Sequence, residues 1–384
     1  MRKMERRKRI PWWWILLTMV LSVPAMLVTT GILLWSLTHV GVPGNKNQAS
    51  SMELAVMDRF DMQMTNQISS ALEGVLAIEK VYWLNDDDQI APEPDPEKFG
   101  TTSNPADLED FLVQAKELLG VEETLFRTDL TLMPNSKITY YLDETIMCIT
   151  WKEVRHNSIY TISEVKIAHP SQLRRFVADG VYGSDKSYTT THMAQTVNAV
   201  TASSGDFYKF RQLGISVYNG EVMRMNNKVD TCFINDQGEL IFSYRGELKS
   251  KEEAQKFVDD NGIRFSMAFG PVLVDNFEKH TVKGTYPVGE ITDQYPRAAI
   301  AEMADPLHYL LVASNQEAGC MSVPTIATFA DQLVSFGVKK AYTLDGGQTA
   351  VIVTNDKLIN RPSYGYQRLI SDIVYFATAV PDGG

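Results

Sequence analysis

The sequence predicts an α+β fold: a mixed β-sheet domain with peripheral helices and a βαβ unit, preceded by an N-terminal transmembrane helix and a helical stalk. Three observations predict it. A long charge-free run stands near the start. A helical apolar repeat follows it. From about Asn135 onward, short β-rich runs alternate with short, well-capped helices. The expected segments are a cytoplasmic basic tail at 1–10, the membrane helix at 11–40, stalk and acidic Pro-rich linker at 41–134, and a large domain at 135–384.

The chain has 384 residues, 44% hydrophobic and 10% aromatic, which excludes a mostly disordered polymer. Its formal net charge is -11, yet residues 1–10 hold six Lys and Arg against Glu5 alone. The remainder is therefore more acidic than the whole. So acidic a body is a poor non-specific binder of nucleic acid or anionic polymer; no nucleic-acid partner is expected, and any bound phosphate must be held by local groups. Cys148, Cys232 and Cys320 are too few and too scattered for a disulfide framework or a zinc site.

Ile10 to Asn45 contains no Lys, Arg, Asp or Glu. Pro11 to Leu37 is long enough to cross a bilayer. Trp12, Trp13 and Trp14 stand where interfacial aromatics belong, and the basic cluster before them predicts a cytoplasmic N-terminus. A cleaved signal peptide would end near Val23-Pro24-Ala25, but the apolar run continues past that point, so an uncleaved anchor is the reading. The expected location is a single-pass cell-membrane protein with its domain outside the cytoplasm.

Met52 to Leu84 reads as a stalk helix through Phe60, Met64, Ile68, Leu72, Val75 and Leu76. Asp86 to Pro105 is acidic, Pro-rich and irregular. Pro105 to Leu119 is a helix stopped by Gly120. Pro170 to Asp179 reads as a helix between Pro and Gly180. His192 to Asn198 reads as helix and Ala199 to Ala202 as strand. Ser250-Lys251-Glu252-Glu253 is a capping box whose helix ends at Gly262. Leu307 to Ala313, Pro324 to Phe336 and Val338 to Leu344 read as strand, helix and strand, a right-handed parallel βαβ unit. Val351-Ile352-Val353 and Leu358-Ile359 form a hairpin across Asn355-Asp356.

Candidate chemistry sits at two strand ends. Ala341-Tyr342-Thr343-Leu344 runs into Asp345-Gly346-Gly347, delivering a carboxylate to a loop where glycines admit close approach of a ligand. Ligands in βαβ units bind beyond the carboxyl ends of the strands. Ala199 to Ala202 runs into Ser203-Ser204-Gly205-Asp206-Phe207-Tyr208. Two such carboxylates suit acid and base, or nucleophile and acid, in displacement at a sugar carbon or at phosphorus. Asp-Gly pairs are also ordinary turn chemistry. Arg297, at the mouth of an apolar strand, suits forked contacts with phosphate oxygens, as do Arg361 and Arg368. The five histidines from His156 to His308 show no ligand spacing. No Gly-x-Ser-x-Gly elbow, phosphate-binding loop or dinucleotide fingerprint occurs.

In order along the chain, Ser204-Gly205-Asp206-Phe207-Tyr208, Phe269-Gly270-Pro271-Val272-Leu273-Val274, Pro296-Arg297-Ala298-Ala299-Ile300-Ala301, Leu344-Asp345-Gly346-Gly347, and Asn360-Arg361-Pro362 with Arg368 to Asp372 resemble the ordered segments of the phosphodiester glycosidase family. The resemblance runs from about Asn135 to Val380. Ser204 stands where the family has Asn, Ala298 and Ala301 replace Thr and Gly, Gln348-Thr349-Ala350 replaces Gly-Ser-Ser, and Asn315-Gln316 replaces Asp-Gly-Arg. The resemblance implies hydrolysis of a sugar-1-phosphodiester in an envelope polysaccharide or teichoic-acid-like polymer. It implies catalytic work by Asp345, Asp206 and Arg297, and substrate binding by Gly346, Gly347, Gly205, Ser204, Arg368 and Gln316. No cofactor is expected, although paired carboxylates are compatible with a divalent cation. The alternative, fed by the departures, is a non-catalytic glycan-polymer binder or envelope-assembly scaffold.

Overall fold

The computed structural model describes Leu84 and residues 90–282, 286, 292–317 and 322–379. All belong to one compact unit, Val81–Gly384. The expected basic tail and membrane span lie outside the described residues, as does the stalk helix up to its last residue. Among the described residues no helix is long and apolar enough to cross a membrane.

The frame is a nine-stranded sheet. Its strands run in the spatial order Phe99–Thr102, Ile138–Leu142, Ile146–Arg155, Ser158–Ile167, His308–Asn315, Ala298–Glu302, Lys340–Leu344, Val272–Asp275 and Glu278–Lys279. Every neighbouring pair is antiparallel. This corrects the expected parallel pairing. His308–Asn315 and Lys340–Leu344 do run in the same direction, joined through the helix Ile326–Ser335. But Ala298–Glu302 lies between them and pairs antiparallel with both. An apolar strand earlier in the chain took the central place, a choice that no local pattern reports.

Successive residues of these strands feed opposite faces. Ala298, Ile300, Tyr342 and Leu344 join a core shared with the second and third sheets. Ala299, Ala301, Leu310 and Val312 pack with Phe329 and Leu333 of the Ile326–Ser335 helix and with Ala115 of the helix Glu109–Leu119. Burial on both faces explains why these strands read as continuous apolar runs rather than alternating ones.

The second sheet has five antiparallel strands, in the order Lys357–Leu358, Ile352–Thr354, Thr201–Ser204, Asp372–Phe376 and Leu173–Val177. It meets the first sheet through a layer of buried hydroxyls. Thr150 Oγ1 lies 2.9 Å from both Ser163 and Thr354, and Thr201 lies 3.0 Å from both of those hydroxyls. A third sheet, Leu240–Ser243, Thr231–Asn235 and Ile263–Met267, is covered by the helix Lys251–Asp260.

The capped helices follow their punctuation. Ser250 Oγ accepts the Glu253 amide at 3.1 Å. Gly120 closes its helix in the left-handed region, φ 63°. The Asn355-Asp356 hairpin forms as expected, with both residues at positive φ. The expected helix from Pro170 to Asp179 does not form. A single turn, Pro170–Gln172, is capped by His169, and the next five residues are the buried edge strand Leu173–Val177. Pairing with Asp372–Phe376 outweighs the flanking Pro and Gly signals.

Within that strand, Arg175 has a fully buried side chain. Its Nη2 contacts Asp206 at 3.0 Å and Asp372 at 2.9 Å, Nε donates to Asp372 at 3.0 Å, and Nη1 donates to the Ser266 carbonyl. It therefore joins two strands of the second sheet, the loop after Thr201–Ser204, and the third sheet. Burial opposes its charge, but Asp206 and Asp372 more than compensate and hold the guanidinium protonated. Removing one member leaves uncompensated buried charge. Arg175→Met is expected to lower unfolding free energy by about 3–5 kcal/mol, measured by urea denaturation of the full chain. A loss below about 1 kcal/mol, the scale of exposed pairs, would show that the triad is not a structural tie.

Candidate active site

The register of the central strands places the site. Ala298 pairs with both Ala313 and Leu344. The start of one strand and the ends of two others thus share one edge of the sheet. Arg297, Ser314 and Asp345 are the next residues out. Arg297 and Ser314 clasp each other there: the Arg297 amide donates to Ser314 Oγ at 3.0 Å, and the Ser314 amide donates to the Arg297 carbonyl at 2.8 Å.

The Asp345 loop is pressed onto this edge. The Gly347 amide donates to the Pro296 carbonyl at 2.8 Å. A Cβ on Gly346 would lie 2.6 Å from that carbonyl oxygen, and one on Gly347, at φ +68°, would lie 2.8 Å from the Tyr295 ring. The glycines are required by close packing as much as by ligand access. The Gly347 amide, expected to serve a ligand, is already occupied by Pro296.

The second tip meets the first through its backbone. The Asp345 amide donates to the Gly205 carbonyl at 2.9 Å, and Ser204 Oγ donates to the Asp345 carbonyl at 2.8 Å. Ser204 is fully buried and positions Asp345 instead of facing a substrate. The side chains of the two tips diverge. Asp206 turns into the Arg175 network, where its oxygens also accept the amides of Tyr208 at 2.8 Å and Ala268 at 2.7 Å. Gly205 makes room for this arrangement, since a Cβ there would lie 2.1 Å from the Asp372 carboxylate. Gln316 is exposed and is not among the cavity residues.

What the structure brings together is a cavity of about 150 Å³ lined by Asp345, Gly346, Arg297 and Arg368 from the expected set. Arg211 joins them, with aromatic walls from Phe207, Phe269 and Tyr295. Arg368 Nη2 pairs with the Asp345 carboxylate, and its guanidinium stands 4.6 Å over the Phe207 ring. The Arg211 guanidinium stacks 3.9 Å over Phe269, and its buried Nε has no hydrogen-bond partner among the described residues. Arg297 Nη2 donates to the Asp293 carbonyl at 2.8 Å. Burial pushes the Asp345 carboxyl above its ordinary value, against the opposing pull of Arg368. Burial likewise draws Arg211 down, with Asp345 as the leading opposing charge. Three guanidiniums, one carboxyl with a raised pKa and three aromatic rings can bind an oxyanion, take or give a proton, and hold an apolar face. Among the described residues no group of three or more His, Cys, Asp or Glu side chains is placed to hold a metal ion.

Residues 196–377 match the family model described as phosphodiester glycosidase. That stretch is a phosphodiester glycosidase domain, and the family is one of hydrolases. It contains both strand tips and every lining residue of the cavity, whereas Arg175 lies before it. No curated protein matches the chain. Among solved structures, a hypothetical protein from Synechocystis is 14% identical with TM-score 0.48, covering 65% of this chain and 64% of its own length. The catalytic domain of zebrafish N-acetylglucosamine-1-phosphodiester alpha-N-acetylglucosaminidase is 16% identical with TM-score 0.49, covering 60% of this chain and 82% of its own. This chain thus spans under two thirds of the Synechocystis protein.

Arg211 was not singled out from sequence. Its signal is legible afterwards: Phe207-Tyr208-Lys209-Phe210-Arg211 interleaves cations with aromatics directly after a Gly-Asp tip.

Two outcomes are expected. Gly347→Ala combines positive φ with contact on Tyr295, so it should destabilise by about 1–3 kcal/mol in thermal or urea unfolding, and lower any turnover by displacing Asp345. The second concerns Asp372. Burial first, with Asp206 adding and Arg175 opposing, pushes its carboxyl up to about 7 from 3.8. The folded chain then binds a proton that the unfolded chain has released between those values, so this group's contribution to stability falls as pH rises from about 4 to about 7. Asp372→Asn removes that dependence. Its unfolding free energy relative to wild type should therefore rise across the same window, and a pH-independent difference would refute the assignment.

Proposed function

We propose that this chain hydrolyses sugar-1-phosphodiester linkages, with the phosphate held among Arg211, Arg297 and Arg368 and the proton handled at Asp345. The observation that carries the reading is the cavity itself. A single buried carboxyl stands among three guanidiniums at the strand ends of a phosphodiester glycosidase domain. Forked guanidinium groups match phosphate oxygens in charge and geometry, and the burial of Arg297 and Asp345 strengthens their hold on charge that grows during bond breaking. A carboxyl raised by burial gains and loses its proton closer to neutrality than an exposed one does. Hydrolysis adds water across the bond, the hydroxyl to one fragment and the proton to the other. Asp345 is the group placed to relay that proton, and the Arg368 contact orients it. Asp206 acts here through position, keeping the Gly205 turn against Asp345.

The anchor supports an extracytoplasmic site of action. A charge-free run of membrane length after six basic residues is what a single-pass, N-in protein needs. Outside the membrane, the substrates of matching chemistry are wall or capsule polymers joined by sugar-phosphate links. One observation favours the second reading, a binder without turnover: Asp206 is enclosed, which leaves one carboxyl at the cavity instead of two.

The test incubates the full chain with an N-acetylglucosamine-1-phosphodiester and measures free sugar. Turnover is expected, with Asp345→Asn lowering kcat by about 10²–10⁴-fold. Arg211→Gln should lower kcat/KM by about 10–100-fold, the worth of one lost charge-assisted contact. Retention of the diester without release of sugar would favour the binder. Full turnover by Asp345→Asn would remove the assignment. Oxygen-18 water then reports whether carbon or phosphorus is attacked.

A further inference from the structure

The cavity is small. At about 150 Å³ it is below the about 300–1,000 Å³ of ordinary ligand clefts, so a substrate larger than a sugar-phosphate must continue outside it. The surface it would meet there is unusually aromatic. Tyr295, which lines the cavity, is 41% exposed, and Phe210, stacked on lining residue Phe207 at 4.8 Å, is 53% exposed. Tyr295 packs on Gly347, and the turn Gly347–Thr349 abuts the turn Ser363–Gly365. That second turn presents Tyr364, 85% exposed, and Tyr366, 65% exposed, leads from it towards lining residue Arg368. Phe207 and Tyr364 both hold φ 63°, a conformation that bulky side chains rarely accept and that clusters at functional sites.

Cations alternate with these rings. Arg368 stands over Phe207, Lys209 lies 5.6 Å over Phe210, Arg297 lies 5.7 Å over Tyr295, and the Arg361 guanidinium lies beside Gly365 in the Tyr364 turn. A flat apolar ring next to a positive charge, repeated around a mouth, complements a chain in which sugar rings alternate with phosphates. On such a chain the exposed rings would cover the CH faces of pyranoses, and Lys209 and Arg361 would face the outer phosphate links, while Arg297 and Arg368 hold the phosphate inside the cavity.

We infer that this aromatic collar binds the continuing chain of a phosphate-linked glycan, so that the substrate is a polymer several sugars long and not an isolated diester. The inference rests on the phosphodiester reading above, and adds to it the length of the substrate and the residues that sense it.

Its test titrates the full chain by calorimetry with two probes: a synthetic hexamer of phosphate-linked N-acetylglucosamine and the monomeric methyl N-acetylglucosamine-1-phosphodiester. Wild type is expected to bind the hexamer at least about tenfold more tightly. Phe210→Ala with Tyr364→Ala should remove most of that ratio, whereas Phe210→Tyr with Tyr364→Phe should keep it. The ratio cancels any general loss of folded protein. Equal affinity for the two probes overturns the collar as a chain-binding surface. So does an unchanged ratio in the double alanine variant, the result expected if these aromatics face a protein partner. A hexamer preference without sugar release keeps the collar and overturns only the hydrolytic reading.

Discussion

The arrangement depends on one buried cation. Arg175 carries its charge into a fully enclosed position and is held there by two carboxylates, Asp206 and Asp372. An isolated guanidinium in such a place would be prohibitively unfavourable, and so would either carboxylate. Together they fix the loop after Thr201–Ser204 and the third sheet to strands that backbone pairing has already aligned. The edge strand Leu173–Val177 supplies Arg175, Asp372 opens the strand beside it, and Asp206 stands at the start of the loop after Thr201–Ser204. Because Asp206 is pinned, Gly205 is pinned, and its carbonyl receives the Asp345 amide. The acid at the cavity is thus oriented by a charge network that does not open into it.

The antiparallel order of the nine-stranded sheet supplies the second constraint. Placing Ala298–Glu302 between two strands that run the other way brings one strand's beginning beside two strands' ends. A guanidinium that precedes a strand and a carboxylate that follows one therefore arrive at the same edge. With all three strands parallel, Arg297 would lie at the far end of the sheet from Asp345. The three guanidiniums come from separate stretches, Arg211 after the first tip, Arg297 before a strand and Arg368 in the closing segment. The cavity is a meeting of segments and has no single motif of its own.

Much of this was legible in the chain before folding. Asp345 and Arg297 announce themselves because each sits where an apolar run stops or starts. Arg368 was reached through the order of segments. Helix ends were legible where Ser250 and Gly120 supply local caps, and the Asn355-Asp356 hairpin because both residues tolerate positive φ. The failures have a common cause. Pro170 to Asp179 looks helical from its ends, yet Leu173–Val177 is claimed by a strand almost two hundred residues later. The βαβ reading had the right elements and direction but missed the strand inserted between. Ser204 reads as a substrate contact until burial shows its hydroxyl spent on Asp345.

The amino-acid order alone determined which segments are strands with acidic or basic ends, where the charge-free run lies, and which phosphate-directed chemistry the segments resemble, because these depend on residue type and near-neighbour spacing. Tertiary structure alone decided which carboxylate faces the cavity. Asp206 and Asp345 follow nearly the same local pattern. What separates them is Arg175, 31 residues before Asp206, and Asp372, 166 residues after it. Coulomb attraction in a dry interior acts across space and takes no account of distance along the chain.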